Sequence, residues 1–108
     1  MIPRGHEQEA LAFYAGGLGL ARIPKPADMP NPDGLWFALE GGELHLGVAD
    51  EPPPSTRAHV ALVVADLDAR LTALGALGAR LAPAEPLGGL RRVHAWDPFG
   101  NRLELMGT

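Results

Sequence analysis

Cysteine is absent from this 108-residue chain, and its absence removes several chemistries at once. Without a thiol the chain has no disulfide, no thiolate nucleophile and no cysteine-ligated metal. Long apolar runs are also missing, because no segment approaches the roughly 20 residues that a membrane-spanning helix needs. The first ten residues, MIPRGHEQEA, lack the apolar centre of a signal peptide. These absences predict a cytoplasmic protein with no membrane partner.

Basic charge is scarce as well. Nine lysines and arginines stand against thirteen acidic residues, for a net charge of −4. Nucleic-acid-binding proteins usually carry a clustered basic face, whereas Arg91-Arg92 is the only basic pair here. We therefore expect no nucleic-acid partner. A chain this short forms one small structural domain with a limited core, which favours a homodimer.

Three consecutive prolines divide the chain into two parts. They lie in DEPPPST, residues 50–56, which has the composition of a stiff and exposed linker. The linker separates an N-terminal module, residues 1–49, from a C-terminal module, residues 57–108. We predict that the two modules together make one structural domain.

The C-terminal module begins with the β-forming run AHVALVV and continues into an amphipathic helix. Leucines recur in this helix at spacings of four, three and three residues: Leu67, Leu71, Leu74 and Leu77. Asp66 is its predicted N-cap and Gly78 its predicted end. Three short strand candidates follow the helix: residues 80–82, 91–96 and 102–106. The predicted order is β-α-β-β-β.

The N-terminal module repeats this order without its first strand. A helix over residues 6–19 is followed by strand candidates at residues 20–23, 35–40 and 43–48, and residues 1–3 remain as the tail of a first strand. When Gly41 is aligned with Gly100, GGELHL lies over GNRLEL, so His45 falls on Glu104. The matching order and spacing predict an internal duplication.

Strand alternation places three ligand-type side chains on the faces that the helices leave uncovered. Successive side chains of a strand point to opposite faces, so His45 and Glu104 project away from their leucine neighbours, as His59 does at the start of its strand. Two imidazoles and a carboxylate form a ligand set suited to Zn, Fe(II), Mn or Ni with open coordination positions. The alternative for each is a half-exposed residue on an open sheet face.

These segments resemble the vicinal oxygen chelate superfamily, which includes glyoxalase I, bleomycin resistance proteins, fosfomycin resistance enzymes and extradiol dioxygenases. The resemblance is carried by His59, by DLDA from Asp66, by the DPFGNRLEL ending and, in the first half, by AFYAGGLGL and LWFALEGGELHLGV. It implies an α+β fold in which two βαβββ modules form an incomplete barrel around a cavity. It also implies metal ligands at His45, His59 and Glu104. A fourth position would lie before Met1, so the first strand of module one is expected to be truncated or absent.

The resemblance implies a glyoxalase- or dioxygenase-like enzyme that uses a divalent metal, Zn, Fe, Mn or Ni, to chelate two neighbouring oxygens of a small substrate. Glu104 would be a ligand and also a catalytic carboxylate that moves protons. The alternative is a metal-free, bleomycin-resistance-type protein that binds a small molecule. Trp36, His94 and Arg92 are the candidate substrate contacts, although a surface salt bridge is the alternative for Arg92. A homodimer is expected from the family and from an unpaired edge at residues 20–23.

Overall fold

Residues 1–29, 33–52 and 59–107 are described in the computed structural model of the protein. The chain divides into two units, Met1–Pro53 and Pro54–Thr108. Most of the predicted linker, residues 53–56, lies outside the described residues, as does the centre of the proline-rich loop, residues 30–32.

The first unit combines a three-stranded antiparallel sheet with a short parallel pair. Its elements in chain order are β1 (Ile2–Pro3), α1 (Glu7–Leu11), a π-helical segment (Ala12–Gly17), β2 (Arg22–Ile23), β3 (Leu35–Leu39), β4 (Gly42–Leu46) and β5 (Val48–Ala49). The sheet order is β2-β3-β4, while β1 runs parallel to β5. Gly47 alone separates β4 from β5, so this stretch pairs with β3 along one part and with β1 along the next.

The predicted remnant of the first strand is present as β1. Ile2 is fully buried, and its backbone N–H donates to the carbonyl oxygen of Gly47 at 2.8 Å. The strand predicted over residues 20–23 is shorter than expected and begins at Arg22. The reason is that the N–H of Leu20 still donates to the Tyr14 carbonyl at 3.0 Å, which ties Leu20 to the end of the helix.

The second unit has one four-stranded sheet. Its elements in chain order are β6 (Val60–Val64), α2 (Leu67–Ala76), β7 (Arg80–Leu87), β8 (Leu90–Trp96) and β9 (Arg102–Gly107). The sheet order is β6-β9-β8-β7, with β6 parallel to β9 and the other neighbours antiparallel. Along the chain, these elements have the predicted β-α-β-β-β order. The first unit has an equivalent pairing, in which β1 lies beside β5 and the preceding strand β4 lies beside β3, which pairs with β2.

β7 is longer than its predicted span of residues 80–82. It continues to Leu87 through Pro83 and Pro86. Proline lacks an N–H and is tolerated where a strand pairs on one side only. β7 is the last strand of its sheet and pairs with β8 alone, so its prolines do not interrupt the pairing.

The helix of the second unit begins at its predicted cap, and the predicted stop residue follows its end. The Asp66 side chain accepts a hydrogen bond from the Ala69 backbone N–H at 3.1 Å, and Gly78 follows the helix with φ of +75°. Leu67 and Leu74 are fully buried, but Leu77 is 51% exposed. The prediction that Leu77 shares the buried face was wrong, because the helix ends at Ala76 and Leu77 is its C-cap residue.

The helix of the first unit changes type midway. α1 passes into the π-helical segment, where the Leu18 N–H donates to the Phe13 carbonyl at 2.9 Å. Tyr14 is buried and its ring lies 5.7 Å from that of Phe37 on β3, which anchors this segment to the sheet. Across the described parts of both units, no helix combines the length and the apolar character needed to cross a membrane.

Gly34 and Gly41, which flank β3, provide a matched test of this packing. Both have positive φ, +102° and +81°, but a Cβ on Gly34 would overlap the Leu46 carbonyl oxygen whereas a Cβ on Gly41 would meet open space. Gly41→Ala should cost on the order of 1 kcal/mol for its backbone conformation. Gly34→Ala should cost about 1–3 kcal/mol more, because the chain must also shift. Urea unfolding of both variants checks this, and equal losses would contradict the close approach of β3 and β4.

Candidate metal and ligand site

Glu104 is a carboxylate held inside a sheet. It lies on β9, a central strand, with Ala61 of β6 opposite it on one side and His94 of β8 opposite it on the other. Its sequence neighbours Leu103 and Leu105 are buried, and Glu104 itself is only 7% exposed. A carboxylate at such a position needs charged or hydrogen-bonding partners to stay ionised.

Arg92 is the strongest of these partners. Its Nη1 donates to Glu104 Oε1 at 2.5 Å, and its Nε donates to the Glu85 carbonyl oxygen at 2.8 Å. Both side chains of the ion pair are largely shielded, at 25% and 9% exposure. The neighbouring residue Arg91, and not Arg92, forms an exposed salt bridge, with its Nη1 2.9 Å from Asp68 Oδ1. Arg92 therefore holds one carboxylate oxygen of Glu104.

His59 approaches the other oxygen of the same carboxylate. Its Nε2 lies 3.6 Å from Glu104 Oε2. Two donor atoms bound to one tetrahedral ion at about 2.0–2.2 Å each are separated by about 3.4 Å. An imidazole nitrogen and a carboxylate oxygen are also the donor types that Zn, Fe and Mn accept. His59 and Glu104 therefore fit a shared divalent ion in both chemistry and spacing.

His94 completes the cluster from the neighbouring strand. It lies opposite Glu104 in the β8–β9 register, and its ring centroid is 6.1 Å from that of His59. Nη2 of Arg102 is 3.0 Å from His94 Nε2. Burial, followed by the positive charge of Arg102, lowers the pKa of His94 below its ordinary value. Both effects favour the neutral form of the His94 ring.

Opposing effects set the pKa of Glu104. Burial raises this pKa. The hydrogen bond and charge of Arg92, together with His59 and His94, lower it by a larger amount, so the net shift of the pKa is downward. The carboxylate is therefore ionised at neutral pH. Because the folded-state pKa lies below the unfolded one, its stabilising contribution is present above the unfolded pKa and is lost as the pH falls through the folded pKa.

His45 occupies a different environment in the first unit. It lies opposite Trp36 in the β3–β4 register, and the two rings stack with centroids 3.6 Å apart and planes inclined by 5°. Its Nε2 is 2.7 Å from Glu43 Oε2. The His45 side chain is 45% exposed, so this stack forms a flat aromatic surface on the open face of the sheet.

The sequence analysis did not identify two residues of the site, Glu43 and Arg102, although strand alternation could have identified them. Glu43 precedes His45 by two positions and Arg102 precedes Glu104 by two, so each shares a face with the candidate ligand that comes after it on the strand. The turn of β8–β9 is longer than that of β3–β4, which left the alignment of Trp36 with His94 open. The register now settles it, because Trp36 lies opposite His45 as His94 lies opposite Glu104.

The structure thus brings His59, His94, Arg92 and Glu104 together in the second unit, and Trp36 with His45 in the first. In the described ranges, no three His, Cys, Asp or Glu side chains converge as a complete metal site. The three-residue ligand set of His45, His59 and Glu104 remains a prediction.

Replacing Arg92 should show how much unfolding free energy is lost when the buried Glu104 carboxylate has no charged partner. In metal-free protein at pH 7, Arg92→Ala should lose about 1–3 kcal/mol of unfolding free energy, because Glu104 then lacks its charged hydrogen-bond donor. The loss should shrink toward pH 4, where protonation of Glu104 removes the unpaired charge. Denaturant unfolding at both pH values measures the difference.

Arg91→Ala is the matched control, since it breaks an exposed pair expected to contribute about 0–1 kcal/mol. If Arg92→Ala behaved like Arg91→Ala at pH 7, the buried ion pair would not hold Glu104 as described.

Comparison with known proteins places this geometry among related chains. A family model described as a glyoxalase-like domain matches residues 4–106. No protein in the curated set matches the chain significantly. Among solved structures, a putative glyoxalase family protein from Bacillus anthracis is 33% identical, with a TM-score of 0.84, over 99% of this chain and 91% of that one.

Two further structures are similar in fold alone. The genomically encoded fosfomycin resistance protein FosX from Listeria monocytogenes is 19% identical with a TM-score of 0.73, covering 100% of this chain and 86% of its own. A member of the glyoxalase/bleomycin resistance protein/dioxygenase superfamily from Sphaerobacter thermophilus is 23% identical with a TM-score of 0.69, covering 94% and 88%.

Proposed function

The chain belongs to the glyoxalase-like domain family, and from that premise we propose that it is a metal-dependent enzyme acting on a small substrate with two neighbouring oxygen atoms. The observation that carries this function is the pair His59 Nε2 and Glu104 Oε2, 3.6 Å apart beside a largely buried ion pair. A bound divalent ion, Zn, Fe, Mn or Ni, would supply Lewis acidity toward both substrate oxygens.

His59, Glu104 and His45 are the proposed protein ligands. His59 and Glu104 come from one unit, and His45 comes from the first unit of the same chain or of a second copy. Three protein ligands leave coordination positions open, as catalytic sites require. His94 and Trp36 are the proposed substrate contacts, since the imidazole of His94 and the partly exposed indole of Trp36 offer a hydrogen-bonding atom and a stacking surface.

Arg92 has a different proposed role from the substrate contact that the sequence suggested. Its Nη1 is engaged with Glu104 Oε1 and its Nε with the Glu85 carbonyl. Arg92 therefore orients the carboxylate so that Oε2 remains on the side of His59. A general base works best with a pKa near the operating pH, whereas the pKa of Glu104 is lowered. Glu104 is thus better suited to ligation while Arg92 holds it, and it would accept a proton only after leaving Arg92.

A metal-free binding protein of the bleomycin-resistance type is the second candidate. The observation that favours it is the Trp36–His45 stack, a half-exposed flat surface of the kind on which planar ligands bind. The Arg92–Glu104 pair also supports it, because Arg92 already compensates the buried carboxylate without an ion. Metal binding separates the two candidates.

The metal hypothesis predicts that His59 and Glu104 act together. Protein freed of metal by chelation should bind Zn(II), Mn(II) or Ni(II), and calorimetry should show binding weakened more than about 100-fold in His59→Ala and in Glu104→Gln, beyond the effect of an outer-shell change. Gln is chosen at position 104 because its carbonyl can still accept from Arg92.

His6→Ala serves as the control, since His6 is exposed and pairs with Glu9. Circular dichroism should show the same fold in all variants. Unchanged affinity in both site variants, or no binding by the parent protein, would reject the enzyme hypothesis in favour of the metal-free one.

We also propose a homodimer, supported by the edge strands of both sheets. β2 and β6 end their sheets, and on β6 Val63 is 72% exposed. Such edges are usually covered in stable proteins. Sedimentation at micromolar concentration should give a dimer, which Val63→Glu should weaken while Leu77→Glu, at a helix end, should not. A monomeric parent protein would contradict this expectation.

A further inference from the structure

Glu43 and His45 lie two positions apart on β4, on the same face, with Oε2 and Nε2 separated by 2.7 Å. An ionised carboxylate has lone pairs but no proton, so it can only accept a hydrogen bond. With such a carboxylate as its partner, the imidazole donates this hydrogen bond and carries a proton on Nε2. In a neutral ring with one proton, the lone pair is then on Nδ1.

The stack on Trp36 restricts the same ring in a second way. With centroids 3.6 Å apart and planes inclined by 5°, the indole fixes the plane of the imidazole. A ring fixed only in its plane can still flip, which exchanges each ring nitrogen with a ring carbon, because the terminal torsion of histidine is broad and roughly two-fold. The hydrogen bond to Glu43 removes this freedom, since only one flip state brings Nε2 to the carboxylate.

We propose that Glu43 is a positioning residue that fixes His45 as the Nε2-protonated tautomer and makes Nδ1 the nitrogen that coordinates a metal ion. Metal-binding histidines commonly donate their second ring N–H to a carboxylate, which sets the tautomer and raises the basicity of the coordinating nitrogen. The metal part of this inference depends on the function proposed above. The tautomer part is a property of the metal-free protein.

In the second unit a charged neighbour also orients the candidate ligand, but there the neighbour is positively charged and donates the hydrogen bond. There the ligand is a carboxylate, Glu104, and its partner is a donor, Arg92, which occupies Oε1. In each unit one polar atom of the candidate ligand is engaged by a charged neighbour on the same sheet. The ligand atom left for an ion is Oε2 in Glu104 and Nδ1 in His45.

An ordinary surface ion pair between Glu43 and a protonated His45 is the competing explanation. Both side chains are about half exposed, at 49% and 45%, and exposed pairs contribute little stability. Such a pair would leave the tautomer of the neutral ring unaffected by Glu43. Measuring the tautomer therefore separates the two explanations, whereas measuring stability would not.

The test is ring nitrogen NMR on the metal-free, ¹⁵N-labelled protein at about pH 8.5, two units above the ordinary histidine pKa. In the parent protein, His45 Nε2 should have the shift of a protonated nitrogen and Nδ1 that of an unprotonated one. Glu43→Ala should move the two shifts toward each other, because the other tautomer becomes populated. Glu43→Gln retains a carbonyl acceptor and should restore most of the separation.

Glu40→Ala is the charge-matched control. Glu40 is exposed in the neighbouring turn, so its removal takes away the same charge without the hydrogen bond and should leave the His45 shifts unchanged. Identical shifts in the parent protein and Glu43→Ala would overturn the proposal. So would a parent ring protonated on Nδ1.

Zinc titration of the same samples then tests the metal part. Zn(II) should perturb the His45 Nδ1 resonance, and Glu43→Ala should weaken zinc binding by about 10- to 100-fold. Perturbation of Nε2 instead would overturn the assignment of the coordinating atom. If the parent protein bound no zinc, the metal-dependent function would fail, while the metal-free spectra would still decide whether Glu43 sets the tautomer.

Discussion

The ion pair between Arg92 and Glu104 is the interaction on which the rest of the second unit's site depends. A carboxylate between two buried leucines on a central strand would be costly without a compensating charge. Arg92 supplies that charge from β8, and its Nε is anchored in turn to a backbone carbonyl near the end of β7. The extension of β7 past its prolines thus has a consequence for the site, because Glu85 lies in the added part of the strand.

The two units share an order of elements but not the chemistry of their sheets. The facing pair His94–Glu104 in one unit corresponds to Trp36–His45 in the other, and Arg102 corresponds to Glu43. One unit carries a carboxylate surrounded by cationic and imidazole groups, and the other carries an imidazole between an indole and a carboxylate. The shared backbone supplies positions two residues apart on one face, while the side chains decide whether a position donates, accepts or stacks.

Periodicity and turn chemistry were sufficient to predict the order of helix and strands along the second unit, the cap at Asp66 and the faces of His45 and Glu104. These features depend on local rules that act over a few residues. The partnership of Arg92 with Glu104 could not be predicted, because it depends on the cross-strand register, which the length of the β8–β9 turn sets. Strand propensity likewise predicted too short a β7. Pro83 and Pro86 are tolerated because β7 lies at the edge of its sheet, and that position is known only from the topology.

Glu104 has one negative charge to share between Arg92 and any cation beside His59. The two engage different oxygens, Oε1 and Oε2, so the geometry permits both at once. Electrostatics still couples them, because each positive charge withdraws electron density from the carboxylate and repels the other across a shielded space. In the proposed metal site, Arg92 would orient Glu104 and at the same time weaken it as a ligand. Such a site would favour an ion whose affinity gains from further neutral ligands, because these add donor atoms without adding a charge beside Arg92.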